Sequence, residues 1–73
     1  MSTEIVRKLV EEARINRKVQ ITKELVGEDK LSQVALEVAS ELRKLGEDVK
    51  LLAKDENTIE IHVEEKVFDL INA

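Results

Sequence analysis

Between Asp29 and Gly46, apolar side chains recur at Leu31, Val34, Ala35, Val38, Ala39, Leu42 and Leu45. That spacing puts them on one face of an α-helix; a strand would alternate its faces every second residue. Asp29 is the expected N-cap, and Gly46 follows the last apolar residue, where a left-handed backbone closes a helix. A helix with a single apolar face has to lay that face against a second layer of structure. Leu36 lies on the opposite face, so it is either exposed, which is ordinary for one leucine, or covered by another element.

The flanking sequence supplies the second layer. Ser2 or Thr3 can cap a first helix, with Glu4 in its first turn. Ile5, Val6, Leu9, Val10 and Ala13 form its apolar stripe, which stops before Ile15 and ends the helix between Arg14 and Asn16. Val19 and Ile21 alternate with Lys18, Gln20 and Thr22, which predicts a short strand. After the long helix, Val49, Leu51 and Ala53 alternate with Lys50, Leu52 and Lys54. Asp55-Glu56-Asn57 is a turn cluster. Ile59, Ile61 and Val63 then alternate with Thr58, Glu60, His62 and Glu64, completing a β-hairpin with one apolar and one polar face. Val67, Phe68, Leu70 and Ile71 suggest a short terminal helix over 65–72.

These elements form one small α+β domain over residues 1–73, with two layers and no repeat or linker. Its core must be aliphatic, since Phe68 is the sole aromatic residue. No cysteine is present, so neither a disulfide nor a thiolate metal site is available. The apolar runs are too short to span a bilayer. Met1-Ser2-Thr3-Glu4 has neither the basic nor the apolar region of a signal peptide, so the expected location is cytoplasmic. Charged residues reach 38%, mostly Glu and Lys, a balance seen in thermophile proteins. Deliberate selection for helix propensity gives the same balance. The lack of proline argues against the first origin; Ser32, Gln33 and Ser40 argue against the second.

Residues 22–28 decide between two architectures. If they are helical, Thr22-Lys-Glu-Leu-Val opens a second helix and Leu31-Ser32-Gln33 sits in the turn before the third. The order helix, strand, short helix, long helix, hairpin, short helix then resembles a winged helix-turn-helix domain, with the hairpin 48–63 as its wing. In this sequence Gly27 comes early and Asp29-Lys30 occupies the turn where that family favours an apolar residue and a glycine. If 18–26 is instead one strand, the chain reads as a split β-α-β unit with an open sheet. Helices would then cover one face, and the other would show Gln20, Thr22, Lys50, Leu52, Glu60 and His62. The helical reading is favoured, because Thr22 is a natural helix start and Leu36 then gains a burial partner.

No catalytic constellation stands out. Glu60, His62 and Glu64 share one strand face and have the side chains of a divalent-metal site, but a solvated strand face has the same composition. Glu11-Glu12 and Glu64-Glu65 are adjacent in sequence and diverge on a helix. Gly27 and Gly46 are the only glycines, too few for a phosphate-cradling loop. The expectation is therefore no catalytic residue, no metal and no cofactor.

Charge is unevenly spread within a net of -4. Residues 1–23 hold six bases and three acids, a balance of +3; the remainder holds six bases and thirteen acids, a balance of -7. Arg14, Arg17, Lys18 and Lys23 form the basic cluster, suited to phosphate contact or simply to the end of the first helix. The winged-helix resemblance implies DNA contact through the third helix, but Glu37 and Glu41 there would repel phosphates. RNA binding by an open sheet wants stacking aromatics, which the strands lack. The expected role is a non-catalytic interaction module, with a protein partner or a second copy of the chain. The alternative is a DNA-binding winged helix using residues 14–23 and the hairpin. No membrane partner is expected.

Overall fold

The computed structural model describes residues 2–64. Helix α1 spans Ser2–Asn16, strand β1 Lys18–Thr22, and the single-turn helix α2 Lys23–Val26. A 3-10 turn over Glu28–Lys30 leads into helix α3, Leu31–Lys44. Strands β2 (Asp48–Asp55) and β3 (Thr58–Glu64) form the hairpin. The side chains of Ser2 and Thr3, and the helix expected over 65–72, lie outside what is described.

The ambiguous segment is helical, and the strand expected over 18–26 stops at Thr22. The Thr22 hydroxyl accepts a hydrogen bond from the Leu25 backbone N–H at 3.2 Å and caps α2. The Lys23 N–H donates to the Asn57 carbonyl at 2.9 Å, tying α2 to the hairpin turn. That turn is set by Asp55, whose side chain accepts from the Asn57 N–H at 2.7 Å.

The sheet order is β1-β3-β2, with both outer strands antiparallel to β3. Consequently β1 and β2 run parallel to each other across β3, and α3 belongs to the crossover between them. This is the connectivity of a split β-α-β unit, reached with a helical 23–26 in place of a longer strand.

Helices α1 and α3 cover one face of the sheet. The core joins Val6, Leu9, Val10 and Ala13 of α1 to Leu31, Val34, Ala35, Val38 and Leu42 of α3. Val19, Ile21, Ile61 and Val63 complete it from the sheet. The alternations of β1 and β3 hold, with register partners Val19↔Ile61 and Val49↔Val63; in β2 Val49 and Leu51 pack against the core, but Ala53, expected on the same apolar face, is exposed.

Three further expectations are corrected. Asp29 lies within the 3-10 turn; Lys30 occupies the N-cap position of α3 without a side-chain cap. Leu45 lies beyond the last helical residue and is 52% exposed, although its angle round the axis matches the core stripe. Leu36 gains no burial partner and is 60% exposed. The single turn of α2 has no buried residue.

Candidate functional site

The face of the sheet turned away from the helices carries the polar side chains of all three strands. Register aligns Lys18, His62 and Lys50 in one row and Gln20, Glu60 and Leu52 in the next. Glu60, on the central strand, is flanked on both sides and is only 8% exposed. A carboxylate so enclosed is costly unless its oxygens are hydrogen-bonded. Gln20 Nε2 donates to Oε2 at 3.0 Å, and His62 Nε2 meets Oε1 at 2.7 Å. An ionised carboxylate only accepts, so His62 carries its proton on Nε2. Lys54 Nζ stands 3.9 Å from Oε2.

These contacts hold the Glu60 carboxyl below its ordinary value of 4.5. The hydrogen bond from His62 contributes most and that from Gln20 next, while the charge of Lys54 adds to both against the opposing desolvation. A carboxylate depressed in the folded state stabilises the fold above its unfolded pKa and loses that contribution as pH falls through the folded value. The melting temperature should therefore fall as pH drops below 4.5, and fall less steeply in Glu60→Gln. Parallel pH profiles of the two proteins would show the group to be irrelevant.

The Glu60–His62 contact has the form of an acid–base pair, but the two grooves described among these residues lie elsewhere. One groove of about 620 Å³ runs between α1 and α3, and another of about 480 Å³ lies between α2 and the hairpin turn. Neither includes Glu60 or His62. Among the described residues, no group of three His, Asp or Glu side chains is placed to hold a metal ion. Glu64 shares the strand face of Glu60 and His62, but it is exposed at the strand end, and both Glu60 oxygens are already engaged.

The basic cluster does not assemble as one patch. Arg14 Nε lies 3.6 Å from Glu47 Oε2, and an Arg17 guanidinium nitrogen lies 3.7 Å from Oε1 of the same residue. Arg17 also donates to the Glu64 carbonyl at 3.3 Å. It turns the chain from α1 into β1 with φ 64°, a left-handed conformation unusual for arginine. Glu47 is thus the centre that sequence reading missed. It lies thirty residues or more from both arginines, and no local pattern marks it. Lys18 is exposed at the start of β1. Lys23 stands at the strand's other end, some five residues or roughly 16 Å away.

The longest described helices present mixed charge. Glu37 and Glu41 accompany Arg43 and Lys44 on α3, and Glu41 pairs with Lys44 at 3.4 Å. The hairpin turn bears Asp55 and Glu56. Among the described residues, no helix is long and apolar enough to cross a membrane. Comparison with protein-family models, with curated proteins and with solved structures gave no match.

Proposed function

We propose that this chain is a non-catalytic interaction module whose contacts are made with protein. The observation that carries this reading is the binding of Arg14 and Arg17 to Glu47. Two arginines of the basic cluster lie against one carboxylate of their own chain, which offsets one of their two charges. The acids of α3 and of the hairpin turn would meet any nucleic acid at the two elements a winged helix uses to read it. The surface meanwhile offers Leu25, Leu36, Leu45 and Leu52, each about half exposed, as apolar contacts. The lack of cysteine fits a reducing compartment, and we place the module in the cytoplasm on that ground.

The second reading is a DNA-binding winged helix. The element order and the β1-β3-β2 sheet support it, with β2 and β3 as the wing and α3 as the reading helix. One titration separates the two. A labelled random-sequence duplex is followed by fluorescence anisotropy at low salt and again at physiological salt. The protein-contact reading expects no saturable rise at either. A rise that weakens steeply with salt, and that Arg17→Glu reduces, makes DNA binding the primary reading.

A further inference from the structure

We propose that the groove between α1 and α3 is the contact surface for a second copy of this chain, rotated about a two-fold axis that runs along the groove. The proposal deepens the interaction-module reading and rests on it. The groove floor is apolar, with Val6 and Val10 from α1, and Leu45 stands half exposed beside them on the α3 side. Its two walls carry opposite charge. Arg7 lines the α1 wall, and Glu37 and Glu41 line the α3 wall. Lys44, also on the α3 wall, is committed to Glu41 at 3.4 Å. Glu37 meets only the neutral amide of Gln33, at 3.5 Å. Among the described residues neither Arg7 nor Glu37 has an ion-pair partner, although both line the same stretch of groove. They stand on opposite walls and are not paired within the molecule.

A two-fold axis along the groove removes that separation. It lays the α1 wall of each copy against the α3 wall of the other, so Arg7 of one faces Glu37 of its partner, and the reverse contact forms at the same time. A surface that complements itself under rotation is the requirement of a closed, isologous dimer. It also covers Leu45 of both copies. An axis across the groove would instead oppose like walls, arginine to arginine.

The test is charge reversal followed by mixing. The wild-type chain should show twice its 8.3 kDa mass by sedimentation at about 1 mM and the monomer mass on dilution to about 1 µM, as a weak contact of small area requires. Arg7→Glu alone places two glutamates opposite each other at both symmetric contacts. Glu37→Arg alone places two arginines there. Each variant should dissociate about tenfold more readily than wild type, and its unchanged melting curve at low concentration shows that it folds. In an equimolar mixture both contacts again join Arg to Glu, so the heterodimer should recover the wild-type mass.

A wild-type mass of 8.3 kDa at every concentration overturns the proposal, as does a dimer indifferent to both reversals, or a mixture no heavier than its components. Nuclear Overhauser contacts from Phe68 to the Val6 and Val10 methyls, unchanged on dilution, would also overturn it by placing the chain's own residues in the groove. Phe68 is the one phenyl ring, so its signals have a single source once those of the His62 imidazole are assigned. A monomer that binds no DNA removes the dimer and leaves contact with a different protein standing. Salt-sensitive DNA binding removes the underlying reading itself.

Discussion

Replacing Ile61 with alanine should lower the melting temperature by about 15 °C. Ile61 is fully buried on the central strand, between Val19 of β1 and Leu51 of β2 in register, and faces the helices. Truncating such a side chain loses its transfer free energy and leaves a cavity, roughly 2–5 kcal/mol together. A domain of 73 residues is worth only about 4–11 kcal/mol in all. At this size each kcal/mol shifts the midpoint by about 4–8 °C, which gives the expected drop. The comparison is Leu36→Ala. Leu36 is 60% exposed on the outer side of α3, so its truncation should change stability by less than about 0.5 kcal/mol. Thermal melts of both variants at low protein concentration decide the matter. Equal losses would mean that the core does not run through the central strand as described.

The contrast between these two leucine-sized side chains shows where sequence is informative. Periodicity gives the angle of each residue round the α3 axis, and it separated Leu36 from the buried face correctly. It does not say how far along the axis the neighbouring elements extend. Leu45 has the angle of a core residue but sits past the last helical residue, so it stays exposed. The strands were legible for a similar reason: alternation places Ile61 on the helix-covered face and Glu60 on the opposite face wherever the partners lie, though not that Glu60 is buried there. Residues 22–28 were ambiguous because Thr-Lys-Glu-Leu has no periodicity long enough to count. The choice was made by the Thr22 cap and by the Lys23–Asn57 hydrogen bond.

The candidate site was less legible than the fold. Alternation put Glu60 and His62 on one face, but Gln20 and Lys54, which complete the shell of Glu60, come from the two flanking strands. The four bases of residues 14–23 read as one cluster along the chain. In space Glu47 claims two of them, and the length of β1 removes Lys23. Contacts between distant residues depend on strand register and helix placement, and neither is written in a local window.

Substitutions at Gly46 should destabilise the fold in an order set by backbone tolerance and not by size. Gly46 has φ 87° and follows the C-cap of α3. Its N–H donates to the Arg43 carbonyl at 2.9 Å, and the Glu47 N–H donates to the Leu42 carbonyl at 3.0 Å. Those two bonds define a Schellman closure, which needs a left-handed residue at this position. The same closure fixes Glu47 next to Arg14 and Arg17 and aims the chain into β2, so three elements depend on one backbone angle. Asparagine tolerates the left-handed region and should cost only a few tenths of a kcal/mol relative to glycine. Alanine should cost about 1 kcal/mol. Valine, branched at Cβ, should cost about 2 kcal/mol or more, close to 10 °C in the melting temperature. Asparagine is larger than alanine, so steric crowding would reverse the first two. Urea unfolding of the three variants distinguishes the accounts: alanine milder than asparagine would show that space, and not φ, selects glycine here.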